Sequence, residues 1–180
     1  MSAGARPETA DMDPKRHFLT LARYHLWATR RLLERHVAPL PDDEYRRDTG
    51  LFFRSIHGTL NHLLVAEQRL WLRRFAEGVS PVVRLDEEIE PDRARLQAAL
   101  IEGATRWIGL VGSWDASRYD GRLDYTSTKG VAMSLPFAAT LAHVFNHATH
   151  HRGQVTAAIT ALGHPCPELD LVWMLQEDDR

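Results

Sequence analysis

Apolar residues recur at helical spacing along most of the chain. The first amphipathic stretch spans about residues 13–38 and opens on Asp-Pro, a capping aspartate followed by a proline at the first helical position. The second spans about residues 55–76, and the third begins at Pro91. The fourth opens at residue 136 and ends at Gly163. The pattern therefore predicts four long helices.

Two shorter features complete the pattern. Residues 123–126 and 131–135 have β-like composition and flank a Lys-Gly pair, which predicts a hairpin or an extended loop. Residues 169–176 predict a short last helix. We therefore expect an all-α fold: a four-helix bundle with a short extra C-terminal helix and a small hairpin or loop before the fourth long helix.

Length and composition restrict the function classes. The chain has 180 residues, a net charge of −2 and one cysteine, Cys166. Residues 1–12 predict a disordered tail, and residues 13–180 predict a single domain. Charges of both signs are interleaved, so nothing indicates binding to nucleic acid or to a membrane. A lone cysteine excludes an intramolecular disulfide and favours a cytoplasmic location.

The fourth helix carries four histidines within nine positions: His143, His147, His150 and His151. Histidines four residues apart share a helix face, so their ring nitrogens can meet at one metal ion. On a helical wheel His151 lies within about 30° of the buried direction and His147 about 70° from it, whereas His143 and His150 lie more than about 100° away. The spacing predicts His147 and His151 as the inward pair.

A third ligand has to come from another helix, and the second helix offers His57 and His62. The wheel favours His57, which lies at the edge of the apolar arc. His62 lies opposite the centre of that arc, but small residues around it would let a neighbouring helix approach closely. Periodicity alone leaves the choice between these two open.

Other residues near the histidines allow two interpretations each. Glu67 is either a base or partner for the ligands, or a solvated or paired carboxylate. Arg152 is either a donor to the ligands or solvated. Gly153 costs about 1 kcal/mol inside a helix relative to alanine, which suggests close packing there.

Tyr24 and Trp27 form a second aromatic face on the first helix, which indicates a further packing surface, a subunit contact being one option.

Three segments resemble the DinB family of bacterial four-helix-bundle proteins. HVFNHATHHRGQ (143–154) is similar to its C-terminal signature, SIHGTLNHLL (55–64) to its second-helix motif and YHLWAT (24–29) to its first-helix motif. The resemblance implies a site for a divalent metal, commonly zinc or nickel, on His62, His147 and His151, and often a homodimer. His25 stands where the family has asparagine; it is either a core residue or a spare imidazole near the site.

Two functional hypotheses follow. The first is a metal-dependent enzyme, a thiol S-transferase or a hydrolase-like protein, which acts on a small molecule through an open three-histidine site; relatives in the wider superfamily use low-molecular-weight thiols. The alternative is a non-catalytic metal-binding stress-response bundle. A third possibility is a structural dimer without metal. A closed site, completed by His25 or His57, would favour a structural metal, and an open position would favour catalysis.

Overall fold

A computed structural model describes residues 13–165 and 167–178. The tail predicted for residues 1–12 and Cys166 lie outside these residues. Helix α1 (Pro14–Leu32) begins where the sequence predicts, because the Asp13 side chain accepts a hydrogen bond from the Lys15 backbone N–H. It continues as a π-helical segment, Leu33–Val37, close to the predicted end of the first helix.

The second predicted helix is a continuous run of three parts: α3 (Ile56–Leu63), a π-helical segment (Leu64–Trp71) and α4 (Leu72–Glu77). A left-handed Gly78 ends the run. The remaining helices are α2 (Asp42–Arg46), α5 (Arg93–Ser113), α6 (Phe137–Ala161) and α7 (Leu171–Asp178), and a 3₁₀ segment covers Ala116–Asp120.

Strands β1 (Arg122–Thr126) and β2 (Ala132–Pro136) form the predicted hairpin. They are antiparallel, with Leu123 opposite Leu135, and Gly130 turns the chain with a φ of 76°. The described chain is thus mostly helical, with a small two-stranded antiparallel sheet directly before α6.

Two large hydrophobic clusters lie in the interior, one toward each end of the long helices. Between them, α1, the α3–α4 run and α6 each contribute buried polar side chains. The first cluster includes Leu32, Ile56, Leu60, Leu100, Val155 and Ile159. The second includes Phe18, Leu72, Phe75, Trp107, Phe137 and Leu141. The polar side chains therefore form a middle layer, and this layer contains the candidate site.

The aromatic face of α1 is covered by α7. The Tyr24 hydroxyl donates to the Leu169 carbonyl at 2.7 Å, and Trp27 Nε1 donates to Glu177 at 2.7 Å. Met174 of α7 is buried against Tyr24. The second face that the sequence indicates is therefore a packing surface within the chain. Among residues 13–165 and 167–178, every helix is too short or too polar to span a lipid bilayer.

Candidate metal centre

His62, His147 and His151 converge in the middle layer. His62 Nε2 lies 3.2 Å from His147 Nε2, and His151 Nε2 lies 3.1 Å from the same atom. One ring nitrogen from each of the three residues lies within 4.8 Å of the other two. Ligands at about 2.0–2.1 Å from a tetrahedral zinc ion are roughly 3.3 Å apart, so the two closest separations match that geometry.

The second ring nitrogens of two of these histidines have acceptors. His62 Nδ1 donates to the Leu85 carbonyl at 2.8 Å, and His151 Nδ1 donates to Gln154 Oε1 at 2.7 Å. An acceptor at Nδ1 holds the proton there and leaves the lone pair on Nε2. The Nε2 lone pairs of His62 and His151 therefore both point at the centre of the cluster, which is the arrangement that a divalent cation requires.

Burial keeps these imidazoles neutral near pH 7. It lowers the pKa of His147 to about 4, with smaller contributions from the neighbouring His151 and His62. Burial also lowers the pKa of His151 to about 4 and reduces the pKa of His62. Neutral imidazole is the form that binds metals, so the site is ready to take a cation without first losing protons.

The turn that precedes α3 supplies one wall of the site. The Phe53 ring stacks on His62 with centroids 3.9 Å apart, and it lies 5.7 Å from the His151 ring. Arg54 has a φ of 68°, and a Cβ on Gly58 would lie 2.2 Å from the Phe53 carbonyl oxygen. Sequence reasoning missed Phe53 as a site residue; the local signal is the Gly58 that lets this turn pack closely against α3.

The helical wheel ranked His57 and His62 in the wrong order. His57 faces away from the cluster: its Nδ1 lies 2.9 Å from the Tyr45 hydroxyl, and its Nε2 lies 3.2 Å from Asn61 and 3.5 Å from Glu88. Every residue of α3 is buried, so the helix has no polar face for a wheel to find. The DinB resemblance identified His62 where periodicity could not.

The outer histidines of α6 lie at the rim, as the wheel predicts. His143 is exposed and packs edge-on against Trp71 with centroids 5.2 Å apart. His150 is exposed, and its Nε2 lies 3.3 Å from the Gln154 amide nitrogen. Neither belongs to the converging group. The expectation that close packing explains Gly153 is wrong, because Gly153 is exposed and a Cβ there would meet nothing within 4 Å.

His25, Glu67 and Arg152 form a buried polar cluster in the same layer. His25 Nε2 lies 3.2 Å from Glu67 Oε2, and His25 Nδ1 lies 2.9 Å from an Arg152 guanidinium nitrogen. Arg152 also donates to Thr149 at 3.0 Å. Glu67 and Arg152 are therefore not solvated, and His25 is a core residue with its own partners rather than a fourth member of the group.

Glu67 is ionised although it is buried. Burial by itself raises the pKa of this carboxyl, but His25 and then Arg152 favour the charged form and hold its pKa below the ordinary value. A fixed negative charge thus lies in the same layer as the three histidines, where it favours a bound cation.

Comparison with known proteins agrees with this picture. The model of the DinB family matches residues 12–180. The chain is 23% identical over 156 residues to Protein DinB of Bacillus subtilis (strain 168). The aligned region covers 83% of this chain and 88% of that protein. No solved structure matches the chain. The family match extends over nearly the whole sequence, and we conclude that this chain is a member of the DinB family.

Proposed function

We propose that the protein binds a divalent metal ion, zinc or nickel, through His62, His147 and His151, and that it uses this ion as a metal-dependent enzyme. The proposed chemistry is thiol S-transfer or a hydrolase-like reaction on a small molecule, with a low-molecular-weight thiol as one candidate substrate. Borderline imidazole ligands suit zinc and nickel. The observation that carries the proposal is the convergence of three Nε2 atoms, two of them with their Nδ1 protons held by acceptors.

The number of available ligands favours catalysis over a purely structural metal. Structural zinc sites use four protein ligands, whereas catalytic sites use three and leave a position open. The two spare histidines that could close the site, His25 and His57, are engaged elsewhere. Within the part of the chain that the structure describes, the group that can hold an ion consists of three histidines.

The residues around the site have distinct roles in this proposal. A divalent ion held by three neutral imidazoles would supply Lewis acidity, which lowers the pKa of a water or thiol bound to it. Phe53 covers the face of His62 and keeps water from it. Leu85 and Gln154 hold the Nδ1 protons and so fix the orientation of two rings. His143 lies at the exposed rim beside His147, with ring centroids 5.7 Å apart, where it can accept a proton from an incoming thiol or water.

Activity measurements on tag-free protein test the catalytic part. Zinc-loaded, nickel-loaded and metal-stripped protein would be incubated with bacillithiol, mycothiol or glutathione and a panel of small electrophiles and esters. We expect turnover only with metal, its loss in His147→Ala, and its retention in His150→Ala, which removes a neighbouring exposed histidine. Metal binding without turnover on any substrate would instead support the non-catalytic stress-response protein.

The proposal also covers the arrangement of the helices, the oligomeric state, the location and the partners. We infer that α1, the α3–α4 run, α5 and α6 form one four-helix bundle domain. The resemblance to the family suggests a homodimer, the single cysteine favours a cytoplasmic location, and the interleaved charges argue against nucleic acid and membranes as partners. Light scattering of the purified protein would test the dimer.

A further inference from the structure

His147 differs from the other two site histidines. Its Nδ1 is buried and has no hydrogen-bond partner among the described residues, whereas the Nδ1 atoms of His62 and His151 both have one. If Nε2 of His147 holds a metal, the neutral ring must carry its proton on Nδ1. A buried N–H without an acceptor is costly, so an acceptor is expected close by.

Glu67 has a buried carboxylate oxygen to which no described residue donates a hydrogen bond. Its side chain is 4% exposed, its Oε2 faces His25, and its Oε1 is buried without a partner in the described chain. The guanidinium of Arg152 can only donate, so His25 Nδ1 accepts from it, and His25 Nε2 is directed toward Glu67 Oε2 at 3.2 Å without forming a regular hydrogen bond. This arrangement orients the carboxylate and leaves one oxygen for a further donor.

The α3–α4 run and α6 bring Glu67 near His147 without direct contact, since no His147 nitrogen lies within 4.0 Å of a Glu67 oxygen in this structure. The α3–α4 run is antiparallel to α6. The first residues of the run, Ile56 and Leu60, share a cluster with Val155 and Ile159 near the end of α6. Its last residues, Leu72 and Phe75, share a cluster with Phe137 and Leu141 at the beginning of α6. Glu67 follows His62 by five residues, on a π-helical segment. In a π-helix the hydrogen bonds join residues five positions apart, so two residues at this spacing lie nearer to the same face of the helix than they would in an α-helix.

We propose that Glu67 is a positioning residue for the metal centre: its free Oε1 accepts the Nδ1 proton of His147 when the ion is bound, so that Arg152, His25 and Glu67 form a buried support for that ligand. This inference rests on the proposed metal site. It goes further, because it assigns a role to a buried charged cluster that does not itself contact the ion. Carboxylates in this position orient the ring and raise the basicity of the ligand.

Zinc affinity tests the proposal without any activity assay. Tag-free full-length protein, stripped with a chelator, would be titrated with Zn²⁺ in competition with a chromophoric chelator. Loss of such a partner typically weakens metal binding by about 10–100-fold, and we expect that loss for Glu67→Gln. The matched control is Glu77→Gln, the same change at an exposed position of the same helical run, which should bind zinc within about 3-fold of wild type.

The outcomes separate this inference from the proposed function. Wild-type protein that binds neither zinc nor nickel would overturn both. A folded Glu67→Gln protein with wild-type zinc affinity would overturn the positioning role alone. Glu67 and Arg152 also line a small cavity with leucines 32, 33, 60, 63 and 100. A variant of lowered thermal stability but unchanged zinc affinity would show that Glu67 serves only the buried cluster with His25 and Arg152, and would equally overturn the proposal.

A second measurement does not depend on the variant folding. In zinc-loaded wild-type protein labelled with ¹⁵N-histidine, the proton on His147 Nδ1 should be observed and should exchange with solvent much more slowly than the ring protons of exposed His150. A His147 Nδ1 proton that exchanges as fast as those of His150 would contradict its engagement by Glu67.

Discussion

At the scale of single residues, the site is defined by which nitrogen of each imidazole is free. His62 and His151 have their Nδ1 atoms held by a carbonyl and an amide oxygen, and their Nε2 atoms meet at His147. Burial then keeps the rings neutral, because it penalises the charged form. The same burial that prepares the site for a cation makes it a source of instability in acid.

The pH dependence of stability follows from these depressed pKa values. The ordinary pKa of a histidine is near 6.5, whereas burial lowers the pKa of His147 and of His151 to about 4 in the folded protein. Below pH 6.5 the unfolded state therefore binds more protons, so the stability present above that pH is progressively lost as pH falls toward 4. Urea unfolding of metal-free protein should give a lower free energy at pH 5 than at pH 7.5, and a smaller decline in His147→Gln. Equal or greater stability at pH 5 would contradict the burial of these rings.

Spacing along α6 was enough to predict the inward pair His147 and His151. The apolar residues of that helix form one buried stripe, and the angle of each histidine from that stripe shows whether its side chain points inward. The third histidine could not be obtained this way. His62 lies on a helix that is buried all round and that passes into a π-helical segment, so a 100° wheel does not describe it. The His25–Glu67–Arg152 cluster could not be predicted either, because its three members are far apart in sequence and meet only through packing.

At the scale of elements, the turn 49–54 and the α3–α4 run together position one wall of the site. Gly58 allows the Phe53 carbonyl to approach the helix, and Phe53 then stacks on His62. The Arg54 backbone adopts a left-handed conformation, which few residues other than glycine adopt readily. The geometry of the site therefore depends on close backbone contact at this one position of α3.

Two glycine substitutions should have opposite effects. Gly58→Ala would place a methyl group 2.2 Å from the Phe53 oxygen, so we expect it to lower the free energy of unfolding by about 1–3 kcal/mol. Gly153→Ala adds a methyl group in open space on a helix, so it should raise the free energy by about 0.5–1 kcal/mol. Urea unfolding of both variants measures this. A Gly58→Ala protein as stable as wild type would show that the turn does not pack as described.

Helix α7 packs on the aromatic face of α1, for which the sequence left open a contact within the chain or a contact with a second subunit. Tyr24 donates its hydroxyl hydrogen to the Leu169 carbonyl, so Tyr24→Phe removes one part-buried hydrogen bond and keeps the ring. We expect a loss of about 1 kcal/mol in unfolding free energy and no change in oligomeric state. A change in oligomeric state, measured by light scattering, would mean that this face of α1 contacts a second subunit after all.

At the scale of the whole molecule, a polar layer separates two apolar clusters. Helical periodicity and clear end signals predicted the long helices, and β-like composition around a Lys-Gly pair predicted a hairpin or an extended loop, of which the structure has the hairpin. Periodicity did not predict the polar layer, because buried charges break that periodicity. The three histidines and the buried Glu67, His25 and Arg152 lie where α1, the α3–α4 run and α6 meet, so an ion bound there would join separate helices.

Metal binding should therefore stabilise the whole fold. An ion that binds only the folded state, at 100 times its dissociation constant, adds about 2.7 kcal/mol, which corresponds to a rise in melting temperature of roughly 5–10 °C for a chain of this size. Scanning calorimetry with and without zinc measures the rise. His147→Ala should abolish it, and His150→Ala should keep it. An equal rise in both variants would locate zinc binding elsewhere.

The most direct test of the central claim is zinc-edge X-ray absorption on tag-free, zinc-loaded protein. We predict three imidazole nitrogens at about 2.0–2.1 Å and a remaining position filled by an exchangeable oxygen, replaced by sulfur at about 2.3 Å when a thiol is added. A spectrum with four imidazole ligands that does not respond to thiol, or one unaffected by His147→Ala, would contradict an open three-histidine centre.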